Sequence, residues 1–207
     1  MHRFLVAPFA ATVVLSGCSD FDARTNDAKD LLADAQGSGF TELASLPSGQ
    51  ASYEGTAIFA PEEAVADQLA NLDGSSEAAV EAGNEIADAA ILAADANLTA
   101  DFDNRTMSGE LTDFIDDDGN EFSGEVDIVN PNAGGAANIT DDGGFAVVTV
   151  GMDGAITDDD GEQTRIVGAG AGVFGGDDGE FVLIDTAATA SGGISDELGG
   201  FIVAERD

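Results

Sequence analysis

Histidine, cysteine and basic residues are scarce in this 207-residue chain, which has one histidine, one cysteine and six lysines and arginines against 41 acids. His2 lies in residues 1–17, which have the order of a secretory signal peptide: Arg3, a mostly apolar run over residues 4–15, then two small residues. Removal of this segment would leave no histidine. That loss excludes Ser-His-Asp and Cys-His catalysis, and zinc, copper or haem bound through histidine.

Lysine is missing after Lys29, which argues against lysine-dependent catalysis in the rest of the chain. Carboxylate chemistry stays open, either as a glycosidase acid pair or as a calcium site. We nevertheless expect a protein that is not an enzyme and that uses no cofactor. The mature chain would have five bases against the 41 acids, a net charge of −36. Because such a field repels polyanions until salt screens it, we expect no nucleic-acid partner.

The residues before the cysteine, Leu15-Ser16-Gly17-Cys18, resemble the lipobox of bacterial lipoproteins. The sequence therefore predicts that Cys18 is lipidated and becomes the first residue of the mature chain, so that the protein reaches the membrane through its lipid anchor. The alternative is an ordinary signal peptide with a chance cysteine. Since Ser19 stands where an aspartate would favour inner-membrane retention, we expect an outer-membrane location, facing the cell surface or, alternatively, the periplasm.

The 190 residues after the predicted cleavage site are enough for one domain. Residues 18–49 are polar and are interpreted as an N-terminal tether, with a helix over residues 26–36 that places Ala28, Leu31, Leu32 and Ala35 at helical spacing. From residue 50 onward, short apolar stretches alternate with Gly, Asp and Asn clusters, which is typical of an antiparallel β protein. We therefore predict a β-barrel domain over residues 50–207.

Eight apolar stretches are found, and eight strands close a small barrel. They lie at about residues 50–60, 90–102, 105–115, 120–130, 143–152, 163–174, 180–189 and 198–206. Alternation is clear in Leu98, Ala100 and Phe102, with polar residues between them. Aspartate-rich and glycine-rich clusters separate the strands and favour tight turns. The sequence thus predicts a mainly β fold, a small eight-stranded antiparallel up-and-down β-barrel.

Residues 61–90 interrupt this pattern as a short helical insertion. Pro61-Glu62-Glu63 is favourable for a first helical turn, and Val65, Leu69 and Leu72 follow on one face. A second, alanine-rich stretch runs from about residue 76 to residue 90. We expect two helices packed on the barrel; the alternative is a mobile loop.

Several strands carry an apolar residue, a spacer and a glycine, as in Tyr53-Glu54-Gly55, Met107-Ser108-Gly109 and Phe122-Ser123-Gly124. With the glycine-rich residues 168–176 and the closing residues 195–206, these motifs resemble the C-terminal barrel domain of transferrin-binding-protein-B-like surface lipoproteins. The resemblance covers about residues 50–207. It implies an outer-membrane module that binds a protein or a ligand and does not catalyse. The chain lacks the handle domain and the second lobe of the large iron-capturing receptors, so transferrin itself is not implied as the ligand.

Two groups of residues could form further sites. Seven phenylalanines could line a pocket, although we expect them to fill the barrel core: Phe102, Phe114, Phe122, Phe145, Phe174, Phe181 and Phe201. The aspartate clusters at residues 116–120 and 158–161 could hold calcium, but neither fits the EF-hand spacing, and hairpin turns are the preferred interpretation. We therefore assign no metal site and no cofactor site.

The functional hypothesis is a monomeric binding module for an unidentified protein or small ligand. The alternative is a structural envelope lipoprotein without a specific ligand. A membrane-embedded barrel is disfavoured because the outward strand positions are rich in acids and threonine, and the chain has no tryptophan and one tyrosine to form aromatic girdles.

Overall fold

The computed structural model describes residues 17–69, 76–132, 134–194 and 196–207 of the chain. The signal peptide predicted for residues 1–17 lies outside these ranges, except for its last residue. Three α-helices, one short 3-10 helix (Leu43–Ser45) and nine strands make up the described part. The helices are α1 (Gly17–Ser38), α2 (Glu62–Leu69) and α3 (Ser76–Asp88). The strands are β1 (Gln50–Pro61), β2 (Leu92–Asp101), β3 (Thr106–Asp116), β4 (Glu121–Val129), β5 (Ala137–Asp142), β6 (Phe145–Thr157), β7 (Gln163–Gly175), β8 (Phe181–Gly192) and β9 (Asp196–Arg206).

The strands form one closed antiparallel barrel with eight strand positions. The order around the barrel is β1-β2-β3-β4-β6-β7-β8-β9, and β9 pairs with β1 to close it. Seven positions hold one strand each, and the eighth is shared by β4 and β5. Along β6, Val129 of β4 lies opposite Gly151 and Asn138 of β5 lies opposite Thr149, so the two short strands continue one another. The predicted eight-stranded up-and-down barrel is confirmed.

The ninth segment, β5, was not predicted. Its six residues offer only Ala137 and Ile139 to the interior, which is too few for a sequence pattern, and its end falls in an aspartate-rich cluster that is typical of a turn. The strand predicted at residues 143–152 is longer in the structure and runs to Thr157. Pro131, which follows β4, lies close over Gly151 of β6. A Cβ on Gly151 would stand 3.0 Å from the Pro131 Cα.

The barrel interior is filled by the inward-facing residues of all the strands. Alternation places Leu98 and Ala100 of β2 inside, as predicted, and Val126 and Ile128 of β4 likewise. On β4, Gly124 has φ of +116°, a value that a side chain disfavours, and a Cβ there would lie 2.3 Å from the Ala155 carbonyl oxygen of β6. This glycine therefore allows the two strands to approach closely.

The seven phenylalanines divide among three environments. Phe102, Phe114 and Phe174 fill the interior, and Phe122 packs half-buried at its edge. Phe181 and Phe201 face outward and are buried under the helices. Phe145 is 43% exposed and meets the 57%-exposed Phe40 edge to face, with ring centroids 6.0 Å apart. The expectation that all seven fill the barrel core is thus correct for the interior set and wrong for the other three. Phe181 and Phe201 are buried outside the barrel because the helices cover that side of the wall, and Phe145 lies at a strand end that faces solvent.

The three helices cover one side of the barrel. Within the insertion predicted at residues 61–90, the described residues form α2 and α3, which pack on the wall; Leu72, predicted on the face of the first helix, lies outside the described residues. Leu32 of α1, Ile86 of α3 and Phe201 of β9 belong to one apolar cluster between the helices and the wall. Because this cluster covers the outside of β1, residues 57–60 are buried on both faces of the strand.

Residues 18–49, expected to form a tether, are packed against the barrel in the structure. The helix predicted over residues 26–36 lies within α1, which is longer, and its apolar face at Ala28, Leu32 and Ala35 is buried. The physical reason is that β1, β8 and β9 carry outward apolar residues that need a cover. The sequence indicated the apolar face of the helix but not the surface that receives it.

Residues 39–49, which we name the strap, close one mouth of the barrel. The Thr41 amide donates to the Phe174 carbonyl of β7, the Ala146 amide of β6 donates to the Thr41 carbonyl, and the Phe102 amide donates to the Gly49 carbonyl on the far side. Leu43 and Leu46 of the strap pack against the interior. We call this mouth the strap end. The opposite mouth, where β1 leads into α2 and where the β3–β4 and β6–β7 turns lie, is the insertion end.

Two buried threonines make a matched stability test. Thr186 of β8 is 7% exposed, and its hydroxyl has no hydrogen-bond partner among the described residues. Replacing the hydroxyl by a methyl group removes an unpaired buried polar group, so Thr186→Val is expected to raise the free energy of unfolding by about 1 kcal/mol in denaturant titration.

The control is Thr164→Val. Thr164 is 1% exposed, but its Oγ1 accepts a hydrogen bond of 2.8 Å from the Ile194 amide. This substitution leaves the amide unpaired and is expected to lower the free energy of unfolding by about 1–2 kcal/mol. Equal destabilisation by both variants would contradict the assignment.

Candidate functional site

A cleft lies between α1 and the outer wall of the barrel, on the side of β2, β3 and β4. We call it the α1 cleft. Its volume is about 450 Å³. It is lined by Asp20, Ala23, Arg24 and Asp27 of α1, by Asp95 of β2, by Asp113, Phe114 and Ile115 of β3, and by Glu121 and Phe122 of β4. Five carboxylates and one guanidinium therefore meet over a small apolar floor.

Arg24 joins the two walls of the cleft. Its Nε lies 3.3 Å from Oδ1 of Asp95, and its Nη2 donates to Oδ2 of the same carboxylate at 3.3 Å. Its Nη1 donates to the backbone carbonyl of Asp113. The Arg24 side chain is 21% exposed and that of Asp95 is 46% exposed. The planar guanidinium thus bridges two strands of the barrel with one side chain from the helix.

The carbonyl that Arg24 binds belongs to an irregular point of the sheet. The registers of β3 with β2 and with β4 both skip Asp113, and both shift at this point. Asp113 has φ of +51°, a left-handed conformation that is uncommon for a residue with a side chain. A β-bulge of this kind locally disrupts the ladder. Here it leaves the Asp113 carbonyl available to the helix.

Asp95 lies in surroundings that disfavour its charge. Burial raises the pKa of this carboxyl above its ordinary value of 3.8, Arg24 lowers it in part, and the neighbouring charge of Asp113 raises it again. Arg24 therefore stabilises a carboxylate whose surroundings disfavour its charge.

Acidic side chains also line two further grooves beside α1, one on the barrel side and one on the α3 side. A second groove on the barrel side, of about 550 Å³, shares Arg24 and Asp95 with the cleft and adds acids from both walls: Asp30 and Asp34 of α1 and Glu54 of β1. On the other side, a groove between α1 and α3 is lined by Glu77, Glu81, Glu85 and Asp88 of α3. There Lys29 of α1 forms an ion pair with Asp88.

The predicted lipidation residue, Cys18, lies in the first turn of α1, and its side chain is outside the described part of the structure. The phenylalanines do not come together as a pocket, because they are divided between the interior, the helix interface and the surface. The α1 cleft was not predicted.

The aspartate clusters at residues 116–120 and 158–161 form turns at the insertion end. Oδ1 of Asp116 accepts the amides of Asp118 and Asn120 at 3.1 and 2.7 Å, and Oδ1 of Asp158 accepts the Glu162 amide at 2.8 Å. These carboxylates stabilise their own turns. Within residues 17–69, 76–132, 134–194 and 196–207, no group of three or more His, Cys, Asp and Glu side chains is placed to hold a metal ion.

No helix in the described part of the chain is both long enough and apolar enough to cross a bilayer. Comparison of the sequence with protein families and with curated proteins finds no match.

Arg24 is expected to hold α1 on the barrel. Arg24→Gln should lower the free energy of unfolding by about 1 kcal/mol, since it removes a partly buried ion pair and a hydrogen bond to the bulge. Arg24→Lys should recover only part of the loss because an ammonium cannot bind Asp95 and the Asp113 carbonyl in the same fork. Denaturant titration of the three proteins measures the effect.

The matched control is Arg165→Gln. Arg165 and Asp153 also form an ion pair, 2.6 Å long, but both side chains are more than half exposed, and the loss should stay within about 0.5 kcal/mol. The Arg24→Gln effect should shrink as the pH falls through the raised pKa of Asp95, because protonation removes the partner charge. An Arg24→Gln effect no larger than the control, or one that grows on acidification, would be inconsistent with this role.

Proposed function

We propose that this protein is a lipoprotein of the bacterial outer membrane, anchored through Cys18, whose barrel binds a protein or a small ligand on its outer surface. The observation that carries the proposal is the combination of the Leu15-Ser16-Gly17-Cys18 motif with a closed barrel whose interior is filled by its own side chains. A filled interior leaves the external clefts and the two ends as the surfaces that a ligand can reach.

The position of α1 supports an anchored arrangement with a defined orientation. Cys18 would be the first residue of the mature chain, and α1 already includes it. Asp20 lines the same cleft as Glu121 and Phe122, which begin β4 at the insertion end. A lipid on Cys18 would therefore hold the insertion end towards the membrane and turn the strap end, with its exposed rings of Phe40 and Phe145, away from it.

The surface charge limits the class of partner. The carboxylates around α1 repel polyanions and favour a ligand that is neutral or cationic. The resemblance to transferrin-binding-protein-B-like lipoproteins supports a binding role, because the barrels of that family capture partners at the cell surface. The resemblance does not identify the ligand of this chain, which affinity capture can determine.

The anchor is tested by intact mass and membrane fractionation of the native protein and of Cys18→Ala. The native chain is expected to begin at residue 18, to carry acyl mass on it and to fractionate with the outer membrane, whereas Cys18→Ala should lack the acyl mass. Protease treatment of whole cells should remove the native protein if it faces outward. An unlipidated native product would overturn the anchor, and a lipidated, protease-resistant product would place it on the periplasmic face.

The binding role is tested by affinity capture with two matched variants. The cleft variant carries Asp95→Asn and Asp113→Asn, and the control carries Glu125→Gln and Asp127→Asn on exposed positions of β4. A wash at about 0.5 M salt screens exposed charge pairs, so a partner that survives it is bound specifically. We expect such a partner to be lost with the cleft variant and retained with the control. If nothing survives the wash with the native protein, the structural envelope role is the correct one.

A further inference from the structure

Helix α1 lies between two rows of carboxylates. On the barrel side, four acids line the grooves that border the helix: Glu54, Asp95, Asp113 and Glu121. On the α3 side, four more line the facing groove: Glu77, Glu81, Glu85 and Asp88. The helix itself contributes Asp20, Asp27, Asp30 and Asp34 to the barrel-side grooves. Like charges therefore face one another across the docking surface.

Within the described part of the chain, ion pairs of two bases fasten α1, one on each side. Arg24 binds Asp95 and the Asp113 carbonyl on the barrel side, and Lys29 binds Asp88 on the α3 side. The helix carries five acids and two bases, while residues 39–207 carry 36 acids and three bases. Both bodies are thus net negative, and their long-range interaction is repulsive.

Salt acts unequally on these two contributions. The ion pairs are at contact distance, far below the Debye length of about 30 Å at 0.01 M salt and of about 10 Å at 0.1 M. The repulsion is summed over charges spread across the whole barrel, so it is strong when the Debye length is long and mostly screened when it is short. Raising the salt concentration should therefore favour the docked helix.

The apolar contact under α1 contains few large side chains. Its buried apolar side chains are Phe21, Ala28, Leu32 and Ala35, and alanine offers little area. Leu32 packs directly against Gly83 of α3: a Cβ on Gly83 would stand 2.0 Å from the Leu32 Cδ2. This contact gives the helix one defined seat on its neighbour.

A hinge connects α1 to the strap. Gly37 has no atom within 4 Å of the place a Cβ would take, and Gly39 has φ of +75°. Directly after it, the strap is fixed to the barrel: the Gly176 amide donates to the Gly39 carbonyl, and the Thr41 amide and Oγ1 donate to the carbonyls of Phe174 and Gly176. The helix can therefore rotate about residues 37–39 without opening the barrel.

We propose that α1 is a releasable arm, docked on the barrel when salt screens the facing carboxylates and released about the Gly37–Gly39 hinge at low ionic strength. Release removes the α1 side of the apolar cluster that contains Ile58, Phe201 and Val203, and it opens the α1 cleft. The consequence for the membrane rests on the proposed lipidation of Cys18: the docked arm holds the barrel close to the bilayer, and the released arm lets it move away.

The test is hydrogen–deuterium exchange of the full Cys18→Ala chain at about 0.01 M and about 1 M salt, where the Debye length falls from about 30 Å to about 3 Å. This chain needs no lipid, so failure of the anchor proposal does not affect the result. Amides of residues 20–36 are expected to exchange at least about tenfold faster at low salt, while those of β7 and β8 keep their protection. Equal protection of α1 at both salt concentrations, or loss of protection in α1 and the strands together, overturns the proposal.

Two variants identify the charges responsible. Arg24→Gln combined with Lys29→Gln should lower the protection of α1 at both salt concentrations, because both ion pairs that hold the helix are then removed. Asp27→Asn combined with Asp30→Asn and Asp34→Asn should keep α1 protected at low salt, because the repulsion across the barrel-side groove is removed. If this triple variant is released at low salt like the native chain, repulsion is not the cause and the proposal is wrong.

Discussion

The excess of carboxylates over bases is the constraint on which the rest of this structure depends. With 41 acids and six bases, the chain has too few cations to neutralise buried acids. Every segment that contributes to the core must therefore have no acid on its inward face. A closed barrel meets this requirement, because alternation sends each acid outward and closure leaves no sheet edge exposed. The interior cluster accordingly contains aliphatic and aromatic residues and many alanines.

The same alternation explains how much of the fold could be predicted from the sequence. Strands with several inward apolar residues, such as β2 and β8, are visible as patterns, and the turn clusters between them are visible through aspartate and glycine. The strand β5 was missed because it is specified by its neighbours: Asn138 pairs with Thr106 of β3 and with Thr149 of β6. This short segment becomes a strand because it pairs with β3 and β6 where β4 has ended and so completes the eighth strand position of the barrel.

The α1 cleft could not be predicted, since its partners are far apart in the sequence and one of them is a backbone atom. Arg24 meets Asp95 and the Asp113 carbonyl, 71 and 89 residues away. The bulge that presents this carbonyl results from a register shift in β3 that no local pattern indicates. One signal was available: in a chain so poor in bases, Arg24 and Lys29 lie together in an otherwise acidic helix. Isolated bases among many acids are candidates for specific contacts.

The bulge and the helix depend on one another. A left-handed aspartate at residue 113 costs about 1 kcal/mol or more unless its surroundings hold it there, and the guanidinium of Arg24 does so by binding the carbonyl that the bulge exposes. Conversely, without the bulge, Arg24 would have only the Asp95 carboxylate, whose charge is disfavoured by burial. On the barrel side, the acidic surface therefore retains the helix through Arg24, which lies where a carboxylate and a freed carbonyl come together. This keeps the attachment specific, while its strength stays low enough to respond to the ionic strength of the medium.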